Sequence, residues 1–280
     1  MDDGMRVGFQ GEAGAFSEEA VTTLLPSALP VPHRTFREVV RSVEAGDDAA
    51  GLLPVENTLA GGVAASFDAL AAGDVHVIRE VVIGIRHCLL GVPGSAVSGL
   101  REVWSHPVAL AQCERFFQDH PHLSPVATHD TAGAAREVAE AGDPGVAAIA
   151  ARRAAQRYGL DILADELQDR DDNQTRFLLV VRKGGSPDGP VPDVGSLKTA
   201  VIVEAENRPG ALHELLGVFA TRGLDLTFVE SRPAGTPWTY RFLLEFRHAS
   251  RREADGCLRA LAVLSRSVQV LGTYLPHPAG

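Results

Sequence analysis

The sequence predicts an α/β fold over residues 1–183, followed by a smaller βαββαβ module of ferredoxin-like topology at residues 198–276. Three observations predict it. Short apolar runs of strand character alternate with helical patterns from Met5 onward, as in a mostly parallel sheet covered by helices. The stretch from Gly184 to Ser196, GGSPDGPVPDVGS, has the composition of a linker, set at 184–197. Beyond it the rhythm changes to strand, helix, two strands, helix and strand.

Met5 to Phe9 reads as a short buried strand. Gly11 to Ser17 is a glycine-rich turn, and Ser17-Glu18-Glu19-Ala20 starts a helix with acidic residues in its first turn. Phe36 to Ala45 is an amphipathic helix. Ala50 to Pro54 is a strand, followed by the polar loop Glu56-Asn57-Thr58 and a helix from Gly62 to Ala72. Strands are expected at Val75 to Ile85, Cys88 to Val92 and Glu102 to Ser105. Ser105-His106-Pro107 opens the next helix, with Ser as cap and Pro in the first turn. Asp130-Thr131 opens a helix to Ala141. Ala147 to Ile149 is a strand, and Ala151 to Tyr158 a helix closed by Gly159. A strand from Phe177 to Val181 ends the first domain. In the second, Thr199 to Glu206 is a strand, Asn207 to Gly210 a turn and Ala211 to Arg222 a helix closed by Gly223. Asp225 to Arg232 and Thr239 to Arg247 are strands, Arg252 to Leu264 a helix and Val268 to Tyr274 the last strand.

The chain has 280 residues, 45% hydrophobic and 22% charged, which is globular composition. A net charge of −10 argues against nucleic acid as a partner. Lys183 and Lys198 are the two lysines; the other basic residues are arginines, a compositional bias rather than a functional signal. Cys88, Cys113 and Cys257 are odd in number and far apart, without metal-ligand spacing, so reduced thiols and no metal are expected. Met1 to Phe9 lacks a basic region followed by an apolar one, and no apolar run is long enough to span a membrane. A cytoplasmic protein is expected, with no membrane partner.

No Walker loop, no Gly-x-Gly-x-x-Gly, no Gly-x-Ser-x-Gly and no His-Glu-x-x-His occurs, so chemistry without a cofactor is expected. What the first domain offers is a series of helix starts after strands, at Ala15-Phe16-Ser17, Asn57-Thr58, Ser105-His106-Pro107 and Asp130-Thr131-Ala132. Such loops gather at one rim of the sheet, where backbone N–H groups and helix dipoles can receive a carboxylate. The densest polar run is Gln168 to Arg176, set against the apolar strand that begins at Phe177. Asn173, Thr175 and Arg176 place an amide, a hydroxyl and a guanidinium within four positions, a set able to grip a carboxylate and reach a leaving group. Asn173-Gln174-Thr175 is formally a glycosylation acceptor, but no secretory route is apparent. Glu56 follows a core strand directly, so its carboxyl is expected to be desolvated and able to act as a general acid. His87 sits in a strand pattern that suits a core histidine, and His106 at a helix start. Tyr158 and Trp104 read as core.

These stretches carry a resemblance. Gly11-Glu12-Ala13-Gly14-Ala15-Phe16-Ser17, Leu53-Pro54-Val55-Glu56-Asn57-Thr58, His87-Cys88-Leu89-Leu90-Gly91, Ser105-His106-Pro107-Val108-Ala109-Leu110-Ala111-Gln112-Cys113, Asp130-Thr131-Ala132-Gly133-Ala134-Ala135 and Asp172-Asn173-Gln174-Thr175-Arg176-Phe177 resemble the prephenate and arogenate dehydratases. Pro209-Gly210-Ala211-Leu212 and Glu230-Ser231-Arg232-Pro233 resemble the ACT module appended to them. The resemblance implies a two-lobed catalytic domain like a type 2 periplasmic binding protein, with lobe 1 at about 1–79 and 168–183, lobe 2 at about 80–167, and the active site between them. It implies Thr175 as the essential residue with Glu56 as an acid candidate. The substrate would be held by Ser17, Asn57, Thr58, Ser105, His106, Gln112, Thr131, Asn173, Arg176 and Phe177. It further implies L-phenylalanine as effector, bound between subunits of a homodimer or homotetramer by Asn207, Pro209, Gly210, Ala211, Leu212, Glu230, Ser231, Arg232 and Pro233. The chain departs from the family pattern with Thr58 for Ser, Val108 for Gln and His213 for an apolar residue. The expected reaction is loss of the ring hydroxyl and ring carboxylate of prephenate to give phenylpyruvate, carbon dioxide and water. Thr175 passes a proton itself or positions the hydroxyl for Glu56 or water. Arogenate as substrate, a solute-binding protein and an amino-acid sensor are the competing readings.

Overall fold

The computed structural model describes residues 4–185 and 193–277; residues 186–192 of the expected linker lie outside them. β1 (Arg6–Gln10) leads through Gly11 and Gly14, both at positive φ, into α1 (Phe16–Leu24). A Cβ at Gly14 would lie 2.9 Å from the Cα of Ala154, so only glycine fits this turn. β2 (Leu29–His33) pairs parallel with β1. The sequence pattern hides β2 because Pro30 and Pro32 interrupt it; an edge strand tolerates prolines because its outer N–H groups need no ladder partner. Then come α2 (Phe36–Ala45), β3 (Ala50–Asn57), the two-residue β4 (Gly61–Gly62), α3 (Ala64–Ala72) and β5 (Val75–Gly84).

A second sheet follows, built from β6 (His87–Gly91), β7 (Glu102–Ser105), α4 (Pro107–Ala111), α5 (Glu114–Asp119), β8 (Ser124–Ala127), α6 (Thr131–Ala141), β9 (Val146–Ala151), α7 (Arg152–Tyr158) and β10 (Asp161–Ala164). Its order is β10-β6-β9-β7-β8. β7 is parallel to β8 and β9, but β6 is antiparallel to β9 and β10, so this sheet is mixed where a mostly parallel one was expected. Only Ile85 and Arg86 separate β6 from β5, so no crossover helix aligns β6 with its neighbours. Alternate residues of these strands serve opposite faces. Cys88, Leu90, Ala148 and Ala150 pack with Ala134, Val138 and Ala154 of the helices on one side. Leu89, Ala147 and Ile149 pack with Ala109, Cys113 and Leu123 on the other.

β11 (Gln174–Arg182) returns to the first sheet, whose order is β2-β1-β3-β11-β5, with β4 beside β3. The C-terminal module is β12 (Val194–Ala205), α8 (Ala211–Ala220), β13 (Asp225–Pro233), β14 (Tyr240–Ser250), α9 (Arg251–Leu264) and β15 (Ser265–Tyr274), the expected βαββαβ order. Its antiparallel sheet runs β13-β14-β12-β15, and Leu215, Phe219 and Leu261 of the helices pack with Val201, Leu244 and Phe246 of the strands.

The chain divides into two compact units. One comprises Met1–Val39, Leu52–Gly61 and Val82–Phe177; the other comprises Val40–Gly51, Gly62–Val81 and Leu178–Gly280. Within the second unit the buried Lys198 ammonium meets both carboxylate oxygens of Glu80 at 3.1 and 2.9 Å. Asp68 of α3 accepts from Arg232 at 2.8 Å and Arg241 at 2.9 Å, and the Arg232 bond foremost holds its carboxyl below the ordinary value. Among the described residues no helix is long and apolar enough to cross a membrane.

Candidate active site

Of the polar residues singled out in the sequence, Glu56, Asn57, Thr58, Gln112, Asn173, Thr175 and Arg176 meet inside the first unit, where β3 ends and β11 begins. Asn57 is the last residue of β3. Its Oδ1 accepts the backbone N–H groups of Leu59 at 3.0 Å and Ala60 at 2.9 Å, which fixes the side-chain amide in one orientation. Its two Nδ2 hydrogens are then shared among Asn173 Oδ1 at 2.9 Å, the Gln174 carbonyl at 3.0 Å and Thr175 Oγ1 at 2.9 Å. Because Thr175 Oγ1 accepts this bond, its own proton remains available to a second partner. Asn173, 1% exposed, passes the network on: its Nδ2 donates to Gln112 Oε1 at 2.9 Å, and the same oxygen lies 2.9 Å from His87 Nε2. Such burial excludes the glycosylation reading of Asn173.

Several sequence expectations change here. Glu56 is not the desolvated carboxyl expected after the Pro-Val step. Its side chain is 40% exposed and accepts from Arg176 Nε at 3.1 Å. Arg176, with its side chain only 10% exposed, is therefore committed to an internal ion pair rather than standing open as a carboxylate anchor. Phe177 is fully buried in the core. Ser105 is also buried, and its hydroxyl donates to the Ile149 carbonyl at 2.6 Å. The helix cap there is His106, whose Nδ1 accepts from Val108 N at 3.2 Å, with Pro107 opening α4. Thr58 donates to the Asp172 carbonyl at 2.7 Å and accepts from Gln174 N at 3.0 Å, so its hydroxyl holds the 172–174 loop. Thr131 opens α6, and Asp130 caps it by accepting from Gly133 N. Ser17 is half-buried in the first turn of α1. Tyr158 and Trp104 are half-buried and pack against the core of the second sheet; Tyr158 donates to the Ala13 carbonyl at 2.7 Å and Trp104 to Glu102 at 2.8 Å.

Sequence reasoning missed Glu12 and Arg136. Arg136 Nε and Nη2 grip the two Glu12 oxygens at 2.6 and 3.1 Å, and that hydrogen-bonded guanidinium holds the Glu12 carboxyl below its ordinary value. The signal was a lone charge inside a glycine-rich turn. Glu12, His129 and Asp130 bring donor atoms within 4.8 Å of one another, but Arg136 already neutralises Glu12 and Asp130 is occupied as a cap. In the second unit, Asn207, Pro209, Gly210, Ala211 and Leu212 form the β12–α8 turn and the start of α8, with Gly210 at φ +83. Glu230, Ser231, Arg232 and Pro233 end the edge strand β13, with Arg232 bound to Asp68.

The family model for prephenate dehydratase matches residues 7–185. The chain belongs to the prephenate dehydratase family. The ACT domain model matches residues 199–255. Arogenate dehydratase/prephenate dehydratase 2 of Arabidopsis thaliana, a chloroplastic protein, is 37% identical over 282 residues, covering 96% of this chain and 72% of its own. Among solved structures, the prephenate dehydratase of Arthrobacter aurescens in complex with L-Phe is 33% identical with a TM-score of 0.87, covering 98% of this chain and 92% of its own. GqqA, described as a novel type of quorum-quenching acylase, is 32% identical with the same TM-score and covers 98% of both chains. The N-terminal part of this protein is thus the catalytic domain of a prephenate dehydratase, a lyase, and the C-terminal part is an ACT domain.

Proposed function

We propose that this dehydratase takes prephenate as its substrate and uses Thr175 as the group that meets the departing ring hydroxyl. The single observation behind this is the Asn57 Nδ2–Thr175 Oγ1 bond of 2.9 Å, which makes the threonine oxygen an acceptor on one side and leaves its proton to be donated on the other. In the reaction the carbon–carbon bond to the ring carboxylate breaks, and its electron pair completes the aromatic ring. The carbon–oxygen bond breaks in the same direction, and the departing hydroxide takes one proton to leave as water. Thr175 supplies the hydrogen bond, and passes the proton from water. A donor aimed at developing charge is the most effective contribution a side chain makes to such a step. Ser17, His106, Gln112, Thr131 and the helix N-termini beside them hold the substrate carboxylates. Arg176 acts by fixing Glu56.

The same geometry accommodates arogenate, which differs by an ammonium in place of a ketone; the Arabidopsis relative carries both activities in its name. The ACT domain binds L-phenylalanine as effector through Asn207 to Leu212 and Glu230 to Pro233, in a cytoplasmic homodimer or homotetramer. The test pairs prephenate and arogenate in one assay, with and without phenylalanine. Phenylpyruvate formation from prephenate is expected to dominate and to respond to phenylalanine. Thr175→Ala is expected to lower kcat by about 10²–10³ while remaining folded. A folded Thr175→Ala protein turning over at the parent rate would overturn the assignment, and arogenate as the better substrate would overturn the choice of prephenate.

A further inference from the structure

We propose that His87 is a positioning residue for the dehydration, acting on Thr175 through Gln112, Asn173 and Asn57. The proposal rests on the reading of Thr175 above. Its starting point is that hydrogen-bond direction propagates through this network from the backbone. The N–H groups of Leu59 and Ala60 fix Asn57 Oδ1 as the acceptor, so Nδ2 must donate to Asn173 Oδ1. Asn173 therefore turns its Nδ2 to Gln112, and Gln112 must present Oε1. The ring nitrogen that shares this oxygen at 2.9 Å can only donate, so His87 carries its proton on Nε2. Nδ1 is then a bare acceptor, buried and without a hydrogen-bond partner among the described residues. A neutral ring is what burial favours, and burial pushes His87 below the ordinary histidine value while the Gln112 bond opposes it.

The surroundings hold this tautomer in place. His87 is 2% exposed, and the Phe16 ring packs edge-on against it at 5.4 Å. Its backbone N–H donates to Gln168 Oε1 at 2.9 Å, its carbonyl accepts from Leu167 N at 3.0 Å, and the Gln112 carbonyl accepts from Asp169 N at 2.7 Å. Three consecutive residues thus clamp both ends of the His87–Gln112 contact. A buried histidine that served packing alone would be better replaced by an apolar ring, since the unpartnered Nδ1 is costly. What the imidazole supplies is a second donor to Gln112 Oε1, beside Asn173 Nδ2, and the two together stop Gln112 from flipping. A flipped Gln112 would set NH₂ against NH₂ at Asn173. Asn173 would turn in response and lose its bond from Asn57, whose Nδ2 also holds the threonine oxygen. His87 touches no substrate in this scheme; it locks the far end of the network whose near end orients Thr175.

The test compares His87→Phe, a ring of similar volume without a donor, with His87→Gln, whose amide nitrogen reaches the position of Nε2. His87→Phe is expected to lower kcat about tenfold with KM nearly unchanged, the loss of one ordinary hydrogen bond expressed in the rate. His87→Gln is expected to restore kcat to within about threefold of the parent. In a Gln112→Ala background, His87→Phe is expected to cost nothing further. Parent-level kcat in folded His87→Phe, or an undiminished effect in the Gln112→Ala background, overturns the relay. Nitrogen-15 NMR of the labelled His87 ring tests it without any variant: protonated Nε2 with bare Nδ1 is expected, and the reverse tautomer overturns it. Full turnover by Thr175→Ala would instead overturn the reading of Thr175, so the two failures are distinguishable.

Discussion

The Asn57–Asn173–Gln112 network of the first unit and the Lys198–Glu80 pair of the second bury polar atoms by opposite means. Asn173 is 1% exposed and the network carries no formal charge. Lys198 and Glu80 are each 5% exposed and carry one charge apiece. Amides are cheap to desolvate when every hydrogen finds an acceptor, and each bond dictates the direction of the next. An ion pair is strong but has little sense of direction, and its desolvation cost can equal its attraction. The difference teaches that direction, rather than strength, is what the region around Thr175 requires. The ion pair only has to hold β12 beside β5.

The largest effect expected from breaking this comparison is in the charged region. Lys198→Met leaves Glu80 buried without its ammonium and should destabilise the protein by about 3–5 kcal/mol, read from urea unfolding, with kcat per folded molecule retained. Adding Glu80→Leu should recover most of that stability; a silent single variant would erase the distinction. Asn173→Ala should cost less stability, about 1–3 kcal/mol for the amides left unpaired, but should lower kcat sharply at parental KM. A stability loss with unchanged turnover would make the network structural only. The smallest effect is with pH. Burial foremost pushes His76, His87 and His248 below the ordinary value of 6.5, so each accepts a proton more readily when unfolded. Their contribution to stability is present above 6.5 and is lost as pH falls toward the depressed folded values. The urea midpoint should therefore drop between about pH 7.5 and about pH 5.5, and less so in His87→Phe. His248 has both ring nitrogens partnered, by Thr199 and the Ser250 carbonyl, so it is a control for the half-partnered His87.

Legibility in the sequence followed the range of the interaction. The βαββαβ module could be read because helical and strand periods, Gly210 and Gly223 are local signals. β2 and β8 could not, since Pro30, Pro32 and Pro125 mask edge strands whose outer N–H groups need no ladder partner. Asn57, Gln112, Asn173 and Thr175 stood out as polar residues in family-like stretches, but nothing local revealed that they touch. Glu56 was misread as desolvated because its partner Arg176 lies 120 residues away.

By itself the sequence determined the element order, the two-domain composition and the residue types available for chemistry, because those depend on neighbours within a turn or a strand. Tertiary structure alone decided which of them meet. His87 joins Gln112 across 25 residues, Gln112 joins Asn173 across 61, and Asn57 joins Asn173 across 116. Hydrogen-bond direction at each junction, down to the tautomer of one buried histidine, is set by atoms that only the packed sheets bring within 3 Å.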